Sequence, residues 1–294
     1  MQRGNVMKLH FMKYRKLSYI ISGALLVLSV LSILIRGFNY GIDFSGGISM
    51  EVTPVVESMT IDKMRSELSE FSPELQQIDG KSILIRVGLP KGVTDVQQNE
   101  RVAQIKNILG DDVQYSQVQI VGPKIGGELI RGGILAILFA FLMMAVYVWV
   151  RYRGGYAVGA LVSLFLDFIF MFGFFSITGL EFNQTAIAVI LTGIGYSIND
   201  KVVNYDRIEE NIKTYHKMPL PDLIDLSINE MFRRTMMTSV STLLAMLGLY
   251  LFSGEVLRDF AIAMTFSIIM GTFTSIYISN VVLMNFDLRG ESKK

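Results

Sequence analysis

Six long apolar runs constrain this 294-residue chain more than any other feature: Leu17 to Ile35, Ile134 to Val150, Tyr156 to Ile177, Phe182 to Val203, Met236 to Ser253 and Phe260 to Phe286. Each comes close to the roughly 20 residues that a helix rising 1.5 Å per residue needs to cross ~30 Å of hydrocarbon. The second run is slightly short and the last is long enough to tilt. The first is too long for the core of a signal peptide, and Arg36-Gly37-Phe38-Asn39 offers no small-residue cleavage site, so it reads as an uncleaved helix. Charged residues make up only 18 % of the chain, against about 25 % in ordinary soluble domains. The expected fold class is therefore an α-helical polytopic membrane protein with six transmembrane helices.

Lys and Arg in short loops set the orientation. With the N-terminus inside, the inner segments collect Arg3, Lys8, Lys13, Arg15 and Lys16, then Arg151 and Arg153, six residues from Lys201 to Arg234, and finally Arg289, Lys293 and Lys294. The outer loops near Gly179 and Gly254 carry only Arg258. Residues 1–16 and 287–294 are thus expected in the cytoplasm, with helix one at 17–35 and helices two to six within 134–286.

Residues 36–133 are a polar insert expected outside the membrane. Ile48 to Thr53 alternates like a strand, Ile61 to Phe71 has helical spacing, and Leu75 to Ile78 is extended. A strand at Ser82 to Val87, a helix at Val96 to Leu109 and a strand at Val113 to Val121 complete the order βαββαβ. That order suits a small α+β, ferredoxin-like domain, and about 95 residues suffice for a core. A second polar stretch, 206–234, is expected as a cytoplasmic loop. Its mixture of Leu223, Ile224 and Ile228 with Asp222, Asp225 and Glu230 fits a helix on the membrane surface or one packed against its neighbours.

Several chemistries are excluded at once. Without cysteine there are no disulfides, iron–sulfur clusters or thiol nucleophiles, and His10 and His216 alone cannot build a metal site. A net charge of +1 gives no basic face for nucleic acid. Gly80-Lys81-Ser82 resembles the end of a phosphate loop, but Leu75 occupies the position of the first glycine. Any work done by this chain draws on an ion gradient or a partner, with no cofactor and no enzymatic step.

Ionisable groups inside the membrane are the place to look for ion coupling, since a charge at the bilayer centre costs at least ~2.5 kcal/mol. Asp167 lies halfway along the third run, either in an ion path or as a neutral acid gluing two helices. Asp200 follows Asn183 by seventeen residues, about 26 Å along the helix, which places it near the cytoplasmic interface with Lys201 snorkelling beside it. Gly193, Ser197, Asp200, Asn204 and Arg207 nevertheless form one polar stripe. Arg234, Thr238, Ser241, Ala245 and Gly248 form a second on helix five. Asp200 and Arg234 occupy the same leaflet, so they are candidates for a protonation-dependent pair; Arg233 and Arg234 as simple positive-inside anchors is the alternative.

Five motifs stand in order. They are Gly41-Ile42-Asp43-Phe44-Ser45-Gly46-Gly47, Val121-Gly122-Pro123, Glu181-Phe182-Asn183-Gln184-Thr185, Ile194-Gly195-Tyr196-Ser197-Ile198-Asn199-Asp200, and Asn229 with Arg234-Thr235 and Thr238-Ser239. Together they resemble the SecF family, the six-helix subunits of the bacterial SecD–SecF accessory complex of the Sec translocase. Lys201 stands where many members have threonine, and Glu230-Met231-Phe232-Arg233 replaces a more polar segment. The resemblance implies half of a resistance-nodulation-division transporter in the bacterial inner membrane. It implies SecD, the SecYEG channel, YajC and an unfolded polypeptide in transit as partners, with lipid around the helices and a proton gradient as energy source. Asp200 and Arg234 would be the proton-linked residues. Gly41, Asp43, Phe44, Gly46 and Gly47 would form a hinge-like turn, and Glu181, Asn183, Gln184, Tyr196, Ser197 and Asn199 the fourth-helix motif. The rival expectation is a self-sufficient homo-oligomeric exporter of small molecules on the same fold.

Overall fold

The computed structural model describes residues 9–56, 59–78, 82–90, 93–152, 154–253 and 255–291. Gly80 and Lys81 of the phosphate-loop-like segment lie outside the described residues, as do Arg3, Lys8, Arg153, Gly254, Lys293 and Lys294 of the orientation argument. The chain forms two compact units, one made of residues 40–136 with 181–184, the other of the remaining segments.

In chain order the elements begin with α1 (Arg15–Arg36), the single turn α2 (Ile42–Ser45), β1 (Gly47–Pro54), α3 (Ile61–Glu67), β2 (Glu74–Ile78) and β3 (Ser82–Gly88). They continue with α4 (Asp95–Leu109), β4 (Val113–Val121), α5 (Pro123–Arg151), α6 (Gly155–Thr178) and α7 (Gln184–Thr214). Then come α8 (Leu220–Phe252), α9 (Glu255–Phe273), a π-helical turn at Thr274–Ile278 and α10 (Ser279–Leu283).

Six helical spans are long and apolar enough to cross a membrane, as the sequence predicts. Burial separates them: the apolar windows of α6, α7 and the last span are 56 %, 50 % and 56 % buried, whereas those of α1, α5 and α8 are 17 %, 6 % and 11 % buried. The first three therefore form the inside of this unit, and the others present large apolar faces such as Ile20, Phe139 and Leu244 to the outside.

The stretch 206–234 is not a long loop, and of the two helical forms expected for it the one packed against its neighbours is found. α7 runs on to Thr214 and α8 begins at Leu220, after Pro219, so only residues 215–219 connect them and no separate surface helix exists. The cause is packing. Leu223, Ile224 and Ile228 close a buried cluster with Ile208 and Ile212, which consumes the apolar face that a surface helix would give to lipid. Arg207 bonds Glu230 of the α8 extension at 2.7 Å and Glu210 of its own helix at 2.6 Å, so one charged group ties the two extensions together.

In the sheet unit four strands lie in the order β2-β3-β1-β4, and every neighbouring pair is antiparallel. This is the split βαβ topology expected of a ferredoxin-like layer. Alternation explains the core: Ile48, Met50 and Val52 on β1 and Ile83, Ile85 and Val87 on β3 share one buried face, covered by Met64, Leu68, Ile105 and Leu109 from the helical side. Thr94 and Gln97 close a capping box at the start of α4, with Gln97 accepting from the Thr94 amide at 3.1 Å.

Candidate functional site

The helical unit contains a closed cluster of charged and hydroxyl side chains. Asp167 sits midway along α6 and Lys201 on α7, 5 % and 0 % exposed, with the Lys201 ammonium donating to Asp167 Oδ2 at 2.8 Å. Ser197, one turn before Lys201, donates to the same oxygen at 2.7 Å. Thr274, in the π turn, donates to Asp167 Oδ1 at 2.6 Å. The ammonium also reaches Ser197 Oγ, and Thr274 Oγ1 at 3.3 Å, so its three protons meet three acceptors. Both carboxylate oxygens are likewise engaged. A buried pair survives desolvation only when its remaining hydrogen-bond capacity is filled, and here it is.

Small residues allow the helices to come this close. A Cβ on Gly193 would lie 1.9 Å from Ser267 Oγ, and one on Gly271 would lie 3.0 Å from Ser197 Cβ. The π turn frees a carbonyl that an α-helix would bond. Ser275 O is instead capped by Ser279 Oγ at 2.7 Å and Asn280 Nδ2 at 3.0 Å. Ser275 Oγ in turn donates to Ser197 O at 3.2 Å, fastening the turn to α7.

Asp200 is next to Lys201 in sequence and 3 % exposed, yet its Oδ2 has no hydrogen-bond partner among the described residues. Arg234 is exposed on α8, and no ion pair joins it to Asp200. Gly193, Ser197, Asp200 and Asn204 are all buried, while on α8 the inward face carries Thr235 and Ser239, the latter bonded to Thr272 at 2.9 Å. Thr238 and Ser241 are exposed and bond back to their own helix at Arg234 O and Met237 O. Asn199 is exposed and Tyr196 half-buried, apart from the cluster's bonds.

Lys201 does not snorkel. It points inward because Asp167 offers a counter-charge there, and its spacing of four from Ser197 and eight from Gly193 was the signal available in the sequence. Thr274 and Ser275 had no sequence signal, since neither lies in a motif and the π turn is not encoded by periodicity.

The remaining motif residues assemble in the sheet unit. Asp43 Oδ2 accepts from the Gln184 amide at 3.1 Å, and the Gly41 amide donates to Phe182 O at 3.1 Å, where Tyr40 and Phe182 form a parallel bridge. Phe44 packs on Phe182 with ring centroids 5.9 Å apart, and Glu181 pairs with Arg86 of β3. Glycine is required at three positions. A Cβ on Gly41 would lie 2.3 Å from Glu181 Oε1 and 2.9 Å from Asn183 Cβ, and Gly46 has φ +71° at the exit of α2. Gly47 opens β1 so close to β3 that a Cβ would lie 2.8 Å from Val87 O. Arg86 is a participant that the sequence did not single out.

A family model described as "Protein export membrane protein SecD/SecF, C-terminal" matches residues 101–289, and one described as "SecD/SecF GG Motif" matches residues 31–54. The protein translocase subunit SecF of Rickettsia felis is 41 % identical over 295 residues, spanning 99 % of this chain and 96 % of that protein. The Rickettsia conorii subunit of the same name is 41 % identical over 298 residues, again 99 % and 96 % of the two chains. The crystal structure of SecDF from Thermus thermophilus, described as a translocon-associated membrane protein, superposes with a TM-score of 0.85 at 31 % identity. It covers 97 % of this chain, which in turn spans 39 % of the length of that SecDF chain.

Proposed function

The chain belongs to the SecD/SecF family of protein-export membrane proteins, on its SecF side, and from that premise we propose that it works with a SecD chain to help complete protein export under a proton gradient. In this reading it is a transport component and not an enzyme, embedded in the bacterial inner membrane with both termini in the cytoplasm. The sheet unit then faces the exterior. SecYEG and YajC complete the assembly, and the cargo is an unfolded polypeptide.

The observation that carries the proposal is a self-neutralising Asp167–Lys201 pair beside a second acid, Asp200, that is buried with one oxygen unbonded. Because the charges of the pair cancel, protonation of Asp200 is the event that changes the net charge of this part of the membrane. Groups of this kind inside membrane helices are the usual elements of proton relays. In this reading Arg234, exposed on α8, serves the contact with a second six-helix half.

Two measurements test this. Gentle detergent extraction with mass spectrometry is expected to recover a SecD-like chain in near-equal amount; a stable homo-oligomer without it would support the small-molecule exporter instead. Asp200→Asn and Arg234→Met are each expected to insert normally and to lose the part of export that depends on the proton gradient. Normal export of a slow-folding reporter by both variants would overturn the coupling role, and loss with Asp167→Asn alone, in a variant that unfolding measurements show to be folded under the assay conditions, would move the proton site to that residue.

A further inference from the structure

Residues 181–184 are separated by more than forty positions from the rest of the sheet unit, yet they belong to it. They also lead directly into α7, whose later turns carry Ser197, Asp200 and Lys201. Four kinds of interaction converge on these residues. Arg86 of β3 pairs with Glu181, and both side chains are mostly buried, at 14 % and 19 % exposure. The Asp43 carboxylate accepts from the backbone of Gln184, the Gly41 amide donates to Phe182 O, and Phe182 packs against both Tyr40 and Phe44. The backbone of α2 is itself pinned, since a Cβ on Gly126 would lie 2.9 Å from Phe44 O.

A hinge needs few contacts and a backbone free to change its dihedral angles. This segment has neither property. Its backbone is held at Phe182 and Gln184 and its side chains at Glu181 and Phe182, and Gly41 fits against Glu181 and Asn183 with no room for a methyl group. An ion pair largely removed from water is also costly to separate, because each charge would be left without its partner.

We propose that 181–184 is a fixed joint within the sheet unit: the Arg86–Glu181 pair, with the Asp43 contact to Gln184, keeps this segment attached to the β-sheet throughout the working cycle. Arg86 and Glu181 are positioning residues. β3 lies beside β1 at the centre of the sheet, so the segment is fastened to the middle of the layer and not to an edge strand.

The role in export rests on the function proposed above, so the test has an arm that does not depend on export. The natural chain has no cysteine, and Tyr40 and Phe182 are bridge partners, at a spacing where a disulfide can close. With Tyr40→Cys/Phe182→Cys in the complete SecD-containing complex in membrane vesicles, the rate of oxidative cross-linking is expected to be the same with the proton gradient applied and collapsed. A rate that falls when the gradient is applied would show an opening segment and overturn the joint.

In the second arm, Arg86→Gln and Glu181→Gln are each expected to lose most of the gradient-dependent export while the complex assembles normally. The exchanged pair Arg86→Glu/Glu181→Arg is expected to restore it. Normal export by both single variants, or no recovery in an assembled exchanged variant, would reduce the pair to ordinary packing. If the unmodified complex shows no gradient dependence, the proposed function fails, and the cross-linking rate still decides whether the joint is fixed.

Discussion

Lys201 on α7 and Asp167 on α6 form an ion pair at 2.8 Å with both side chains out of contact with solvent, thirty-four positions apart in the chain. The hydrogen bonding around the pair is shared, because Ser197 and Thr274 bond to both members. Removing either charge leaves the other buried and unpaired.

Asp167→Asn and Lys201→Met are therefore each expected to destabilise the helical unit by about 3–5 kcal/mol, while the double variant loses clearly less than the sum. Thermal unfolding of the four proteins in detergent measures this as a double-mutant cycle. Additive losses would mean that the two side chains are energetically independent.

Close approach of α7 and α9 gives a second expectation. Gly193→Ala places a methyl group on Ser267, where a Cβ would lie 2.8 Å from Ser267 Cβ as well as against its hydroxyl. A cost of about 1–3 kcal/mol is expected from the overpacking. Adding Ser267→Gly should recover much of it, and the same unfolding measurement reads both.

Asn229 has a definite task in the structure. Its side chain accepts from the Leu9 amide at 2.9 Å and donates to Leu9 O at 2.7 Å, reading the backbone of the segment before α1. Asp225 accepts from the Met12 amide at 2.8 Å beside it. Asn229→Ala is expected to release residues 9–12, seen as faster amide exchange there, with about 1–3 kcal/mol lost locally. Unchanged exchange would show that the burial of Phe11 and Met12 holds the segment unaided.

A pH dependence follows from Tyr152, just past the end of α5. Burial first, and then its hydrogen bond to Asp206 at 2.8 Å, raise the phenol above its ordinary value of 10.0. The folded chain keeps a proton that the unfolded chain releases above that value. Its contribution is thus fully present below pH 10.0 and lost as the pH rises further. Unfolding midpoints measured across that range should decline more steeply in the natural chain than in Tyr152→Phe.

The helical spans were legible because each is a run of apolar residues near twenty long, and the sheet because Ile48, Met50 and Val52 alternate with polar neighbours. The extensions of α7 and α8 were not. Arg207 read as the end of a polar stripe and Glu230 as part of a polar stretch, and the bond between them, which ties the two extensions together past the apolar runs, has no sign in the sequence. Lys201 was misread because depth along a helix says nothing of which way a long side chain turns. Asp167 was legible as an intramembrane acid, but its partner lies on another helix. Arg86 looked like any charged residue facing away from a strand's buried side, since nothing near it in sequence announces Glu181.

The π turn at Thr274–Ile278 also acts as a pitch correction. Residues spaced by four on an α-helix drift about 40° around the axis at every step, so a row of them soon winds away from its neighbour. Ser267, Gly271, Ser275 and Ser279 form such a row, and all four are buried: the first three meet Gly193 and Ser197, and the carbonyl of the fourth meets Tyr205. The wider turn winds back part of the drift. It keeps one straight keel of small residues running along α7, which an uninterrupted α-helix of the same sequence would have twisted toward lipid.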